Sequence, residues 1–264
     1  MDTTAIIAIT VALGAAAAII VLNETKGLLS HDRFPSRGHR FAAYVLLTGL
    51  LVFVTGLVAM ASRKPATSSE LATMPFWSLF TMHFILVVFL VCWWLVSGRP
   101  ALGSFFNVRN EQVGVEALAG VAIGLGGWIL TVTVALVIGL AVQAFGNLDE
   151  PMHPPAAISW MAALPWFKKL AIVFSAMTFE ELFFRGWLQK RVGLLPSTLL
   201  FVIAHAGFGE PMMFVGITVV SLVIGYVFYR TKSLLPCIIA HGVFDAVQLF
   251  IVIPVALQLL PEAL

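Results

Sequence analysis

Apolar runs separated by short polar breaks fill this chain. They centre on residues 3–22, 41–61, 76–96, 119–142, 169–189, 196–208, 212–229 and 234–253. Most approach the ~20 consecutive apolar residues with which a helix crosses a hydrocarbon core. The pattern predicts an all-α protein, a polytopic membrane bundle of about eight transmembrane helices. The run at 196–208 is the short one: its thirteen residues give ~20 Å of helix against a core of about 30 Å. Gly98-Arg99-Pro100 stops the third run, Pro196 opens the sixth as a first-turn residue, and Gly207 to Pro211 closes it. The first run has only Met1 and Asp2 before it and no small-residue cleavage site after it, so a membrane helix is expected there rather than a secretory leader. The fourth carries Gly120, Gly124 and Gly127, small residues that let helices approach closely. Residues 146–167 change character. Asp149, Glu150, His153 and the prolines Pro151, Pro154, Pro155 and Pro165 predict an outer loop, with a short interfacial helix anchored by Trp160 and Trp166.

Composition agrees. The chain has 264 residues, 60% of them hydrophobic and 11% charged, where soluble domains are about 25% charged. Residues 1–264 are expected to form a single integral membrane domain. Cys92 and Cys237 lie in apolar runs without CxxC spacing, which argues against a disulfide framework or a thiolate metal site. With no basic tail or nucleic-acid motif, the expected partner is the lipid bilayer and not a nucleic acid. Ten lysines and arginines, among them Lys26, Arg33, Lys190, Arg191 and Lys232, fall between runs on one side. Four fall on the other: Arg63, Lys64, Lys168 and Lys169. The positive-inside rule then makes the first side cytoplasmic and places both termini outside.

Against this background the stretch Phe179-Glu180-Glu181-Leu182-Phe183-Phe184-Arg185 is anomalous. Each charge at the centre of a membrane helix costs roughly 2.5–3.5 kcal/mol even on lenient scales, so intramembrane ionisable residues mark functional sites by default. Glu181 and Arg185 are four apart with the acid first, the favoured orientation for a helical ion pair. Glu180 is turned about 100° from Glu181 and finds no partner on its own helix. His83, alone in the third run, is expected to be a packing or hydrogen-bonding residue.

Two further polar groups could meet Glu180. The sixth run carries Phe201-Val202-Ile203-Ala204-His205, and the eighth carries His241-Gly242-Val243-Phe244-Asp245. Counting ~1.5 Å per residue from the cytoplasmic ends puts Glu180, His205 and His241 at ~14–15 Å and Asp245 at ~20 Å. Three separate helices thus bring their ionisable groups to one layer. A carboxylate and a histidine can hold a water and take its proton. Further donors can stabilise the oxyanion formed when that water attacks a carbonyl. The three clusters contain no serine or cysteine, so they supply no covalent nucleophile. Two histidines with carboxylates could also bind zinc, but no H-E-x-x-H helix is present and Arg185 would lie close to the ion.

Glu180-Glu181-x-x-x-Arg185, Phe201-x-x-x-His205 and His241-x-x-x-Asp245, in this order over residues 170–253, resemble the CAAX prenyl endopeptidase and bacteriocin-processing family, the glutamic intramembrane proteases. The resemblance implies an intramembrane endopeptidase with no cofactor and no metal, whose catalytic core is residues 170–253. It implies that Glu180 is the general base, that His205 helps hold the water, and that His241 and Asp245 stabilise the oxyanion. Glu181 and Arg185 would support them. The family's eukaryotic CAAX proteases have Asn where this chain has Asp245, and an ionised Asp cannot donate to an oxyanion. The expected partner is a membrane protein or peptide substrate, lipidated or membrane-embedded, prenylated chains included. The expected cavity opens towards the cytoplasmic half of the bilayer, and the expected location is the cytoplasmic membrane of a prokaryote. A zinc-dependent membrane protease, a non-catalytic scaffold or immunity protein and a proton-coupled transporter are the other readings of the same residues. For a transporter, the repeats and paired broken helices that usually accompany one are missing.

Overall fold

The structure is a computed structural model. It describes residues 34–63, 67–108, 112–145, 156–208 and 211–259, with scattered positions between 10 and 32. Most of the first apolar run therefore lies outside the described residues. So do the outer loop with Asp149, Glu150 and His153, and the basic residues Lys26, Arg33, Lys64 and Arg109.

Among the described residues every regular element is helical. In chain order these are α1 (Arg37–Arg63), α2 (Ser68–Thr73), a 3-10 turn (Phe76–Phe80), α3 (Thr81–Val96), α4 (Leu102–Phe106), α5 (Val113–Phe145) and α6 (Ala156–Ala163). Then come α7 (Trp166–Ser175), α8 (Leu194–Ala204), α9 (Pro211–Thr231), α10 (Leu235–Val247) and α11 (Ile253–Leu259). Five helices among the described residues are long and apolar enough to cross a membrane: Arg37–Ala59, Phe76–Val96, Val113–Phe145, Met212–Thr231 and Leu235–Leu259. α8 is apolar but, as its length in the sequence suggests, too short for that set. The helix that carries the two glutamates also falls outside it, because it holds too many charges.

α5 is longer than its apolar run, with 33 residues instead of the 24 expected at 119–142. α8 begins two residues before Pro196, at Leu194. Gly193 makes that start possible, since its φ of +85° lies in the region glycine enters without steric cost. Between Ser175 and Lys190 the glutamate helix is wound as π-helix over Ala176–Glu180 and Leu182–Gln189, and α10 ends in a third such segment, Gln248–Val252.

Two of the three glycines singled out on α5 fix how α10 is held. A Cβ at Gly120 would lie 2.7 Å from the Ile239 Cβ, and one at Gly124 would lie 2.6 Å from the Ala240 carbonyl oxygen. Gly127 meets only Val223, at an ordinary 3.5 Å. On its other face α10 meets the glutamate helix at Gly242, where any side chain would overlap the Met177 sulfur. The turn bearing His241 is thus pressed between two backbones.

The glutamate helix is anchored on its other side by an aromatic cluster. Trp187 packs edge-on against Phe89 and Trp93, both with centroids 4.9 Å away, and stacks on Phe183 at 5.4 Å. The Arg191 guanidinium lies 4.5 Å over the Trp187 ring. It donates to both carboxylate oxygens of Asp32, at 2.9 and 2.5 Å, and Trp93 Nε1 donates to the same carboxylate at 3.1 Å. Nearby, Lys190 Nζ donates to the Phe105 carbonyl and to Asn107 Oδ1, and Leu234 N donates to the Asn107 carbonyl at 3.1 Å. Segments assigned to one side of the membrane by their charges therefore meet at one end of the bundle.

Gly124→Leu forces α5 off α10 and is expected to cost roughly 1–3 kcal/mol. It should lower the unfolding midpoint in detergent, whereas Gly126→Leu, with no atom within 4 Å of its Cβ position, should leave the midpoint unchanged.

Candidate active site

Glu180 ends one π-helical segment, Glu181 links it to the next, and Arg185 lies inside the second. Such segments are rare and recur at functional sites, because the widened turn re-aims side chains that α-helical spacing would place elsewhere. Here the two adjacent carboxylates serve two different clusters.

Glu181 is sealed in the first, fully buried. Arg185 Nη1 donates to its Oε1 at 2.9 Å, the ion pair expected from the spacing. The same Oε1 lies 2.8 Å from His241 Nδ1. Arg185 extends the cluster to α9, donating from Nη2 to the Ser221 hydroxyl at 3.0 Å and to the Ser221 carbonyl at 3.2 Å. Its guanidinium lies 4.7 Å over the Phe201 ring. His241 Nε2 lies 3.3 Å from Asp245 Oδ2, so carboxylates flank both nitrogens of this ring.

Glu180 belongs to the second cluster. Its Oε1 lies 3.0 Å from His83 Nε2, and His83 Nδ1 lies 2.6 Å from the Ser175 hydroxyl. An ionised Glu180 can only accept, so His83 Nε2 then carries the proton and Nδ1 accepts from Ser175. The other carboxylate oxygen, Oε2, is buried and has no hydrogen-bond partner. It faces His205 Nε2 at 3.9 Å, too far for a direct hydrogen bond. His205 ends α8, and its Nδ1 lies 2.8 Å from the Phe201 carbonyl. A carbonyl only accepts, so Nδ1 carries the proton and Nε2 is the ring nitrogen turned towards Glu180.

Both clusters border a cavity of about 1010 Å³ lined by Glu180, His205, His241, Asp245 and His83 among mainly apolar side chains. It is walled by α1 from Leu47 to Ala59 and extends to Ala157 and Trp160 of α6. It therefore also reaches the end of the bundle opposite Lys190 and Lys232, farther than the cytoplasmic half expected from the sequence. Within the cavity Glu180 and His205 keep 14% and 22% of their side-chain surface, while Glu181 keeps none.

All six residues picked out by sequence spacing fall within these two clusters. Four more were missed. His83 was expected to be a packing or hydrogen-bonding residue, and it is hydrogen-bonded: it holds Glu180, from a helix some hundred residues earlier in the chain. Ser175 completes that contact, Ser221 receives Arg185, and Phe201, the first residue of its motif, supplies both a ring under Arg185 and a carbonyl to His205. His83 had one usable signal, an imidazole in an otherwise apolar run. Among the described residues no three His, Cys, Asp or Glu side chains are arranged to hold a metal ion.

Arg185→Met would leave the Glu181 carboxylate buried without its cation, a change worth roughly 3–5 kcal/mol. The unfolding midpoint should fall sharply, and adding Glu181→Gln to the same protein should restore part of it.

Comparison with known proteins finds a family similar to the stretch that holds this site. The profile described as type II CAAX prenyl endopeptidase Rce1-like matches residues 162–247, the stretch that holds Glu180, His205, His241 and Asp245. The uncharacterized protein YpbD of Bacillus subtilis (strain 168) is 33% identical over 82 residues. These are 31% of this chain and 41% of the relative, so the chain spans about two fifths of the length of that curated protein. No solved structure matches the chain. The matched profile and the three motifs coincide, and over that stretch the chain is similar to the Rce1-like type II CAAX prenyl endopeptidases.

Proposed function

We propose that this protein is a glutamic intramembrane endopeptidase that hydrolyses a peptide bond of a lipidated or membrane-embedded substrate with a water held between Glu180 and His205. The observation that carries this reading is the facing of Glu180 Oε2 and His205 Nε2 across 3.9 Å. Neither can bond the other while His205 is neutral. A water within hydrogen-bond reach of both donates one proton to each and turns its lone pairs to the cavity. It is held in the geometry that general-base activation requires.

Attack then proceeds in one balanced step. The water oxygen bonds to the scissile carbonyl carbon, one of its protons passes to Glu180 Oε2, and the carbonyl electrons move to oxygen. His241 Nε2–H, held loosely by Asp245 at 3.3 Å, supplies a donor to that oxyanion. Asp245 next to this nitrogen acts as an acceptor, which leaves His241 as the donor of the pair. Collapse of the intermediate breaks the C–N bond as Glu180 returns its proton to the leaving amine. Glu181 and Arg185 take no proton. They hold His241 at its other nitrogen. His83, by engaging Oε1, leaves Oε2 as the oxygen that faces the water.

The apolar lining of the cavity suits a membrane-embedded or lipidated chain, prenylated or not. An eight-helix arrangement with both termini outside is the topology in which the segments at 32, 105–107, 190–191 and 234 share the cytoplasmic side, and their meeting at one end supports it.

Cleavage of a panel of membrane peptides by purified protein in detergent tests the reading. Wild-type cleavage should survive a chelator, and Glu180→Ala should lower it by roughly 10²–10⁴-fold. His83→Leu should lower kcat by less than Glu180→Ala does, with KM little changed. Asp245→Asn, which keeps an acceptor and adds a donor, should remain active. Equal cleavage by wild type and Glu180→Ala would overturn the assignment, and loss to chelator would move the site to zinc.

A further inference from the structure

A second cavity, of about 740 Å³, lies at the end where the loop segments meet, away from the glutamates. Three cations line it, Lys190, Arg191 and Lys232, against one carboxylate, Asp32. Asp32 is already committed to Arg191. Among the described residues neither lysine has a carboxylate partner. Lys190 is held by neutral oxygens, those of Phe105 and Asn107, which engage two of its three protons. Lys232, in the left-handed region with φ 54°, sets its ammonium 4.6 Å over the Tyr229 ring. Burial, with Arg191 beside it, lowers the Lys190 pKa to about 8 while Asp32 opposes the shift, so this cation has less counter-charge than it needs. Gly193 and Leu194, also in the wall, begin α8 without a side-chain cap, adding the positive end of a helix dipole.

The surroundings decide what kind of anion this is. The pocket sits where membrane-spanning segments end, at Val96 and Thr231, and next to the start of another at Leu235. That is headgroup depth. Tyr226 and Tyr229, each more than half exposed and stacked at 6.4 Å, suit the same interface. From the pocket rim Leu195 and Leu199, four apart on α8, present exposed apolar side chains along the helix. A phosphate is followed here by a path for an acyl chain. Basic pockets between membrane helices are a recurrent setting for anionic headgroups.

We propose that this pocket binds the phosphate headgroup of an anionic phospholipid, with Lys190 and Lys232 as its cationic walls, the uncapped start of α8 as its floor and the Leu195–Leu199 strip beneath one acyl chain. This site is independent of the proteolytic reading and stands or falls apart from it.

The test is thermal unfolding of the full chain in detergent micelles doped with phosphatidylglycerol or with phosphatidylcholine. Phosphatidylglycerol should raise the wild-type midpoint above the phosphatidylcholine value by about 2–4 °C. Lys232→Gln should remove at least half of that difference. Arg230→Gln, which changes an exposed cation at the same end but outside the pocket, should keep it. Lys190→Gln should abolish it; where the loss of its ties to Phe105 and Asn107 prevents folding, the Lys232 and Arg230 pair decides alone. Equal midpoints in the two lipids, or equal losses in Lys232→Gln and Arg230→Gln, would overturn the proposal by reducing it to diffuse charge attraction. Inorganic phosphate that reproduces the full rise without lipid would overturn the lipid in favour of a soluble anion.

Discussion

The ion pair of Glu181 and Arg185 is fully withdrawn from water, and much of the bundle is arranged to make that tolerable. Desolvating each ion costs several kcal/mol, and their mutual attraction offsets this only when the remaining donors and acceptors are also satisfied. One helix cannot do so. Arg185 takes its further acceptors from Ser221 on α9 and a ring face from Phe201 on α8. Glu181 Oε1 takes a second contact from His241 on α10, while its Oε2 is buried with no hydrogen-bond partner among the described residues. Three helices must therefore approach the glutamate helix within hydrogen-bonding distance at one depth. The glycines at 120, 124 and 242 allow α10 to do this while still packing on both sides.

Glu180 is one residue away and meets the opposite situation. It keeps a small exposed surface on the cavity, one oxygen fixed by His83 and the other 3.9 Å from His205, beyond a direct hydrogen bond. The contrast begins with the step of about 100° between adjacent helix positions, and π-helical winding lies on either side of Glu181. In a regular α-helix both acids would follow one 100° step, and the backbone hydrogen bonds would leave no slack to adjust it. The wider winding gives up some hydrogen-bond quality and lets neighbouring carboxylates serve unlike surroundings. A sealed cluster built on an ion pair thus lies beside one that remains open to the cavity.

The residues that the sequence exposed most clearly were those that broke a strong pattern. Charges in apolar runs are costly enough to be conspicuous, so Glu180, Glu181, Arg185, His205, His241 and Asp245 could be picked out, and their common depth followed from counting along helices. Gly120 and Gly124 were legible for a related reason, since small residues on a membrane helix mark close approach. His83 was not, because its meaning depends on which helix lies beside it, and no local spacing encodes that. Ser175 and Ser221 are ordinary helix residues until a partner arrives from elsewhere. The π-helical segments had no local signal: the run Ala176 to Gln189 contains no proline, and what stabilises the altered winding is the set of tertiary contacts at Glu181 and Arg185. The upward extent of the cavity escaped as well, since Leu47 to Ala59 and Trp160 read simply as lipid-facing or interfacial residues.

Hydrolysis inside a membrane, as proposed for this site, requires water where water is disfavoured, and the division between the two carboxylates would address that conflict. A cavity with polar walls would admit water freely but would also screen the charges that activate it. Here the walls are mostly apolar, and the groups able to order a water are confined to one patch. On the proposed reading His205 and Glu180 both present acceptors, so the species best satisfied between them would be a donor of two protons. A peptide carbonyl, a lipid ester or an apolar side chain donates none. A geometry that positions a water in this way would also discriminate against the groups most abundant around it. The low polarity of the surroundings then strengthens the interactions that hold it.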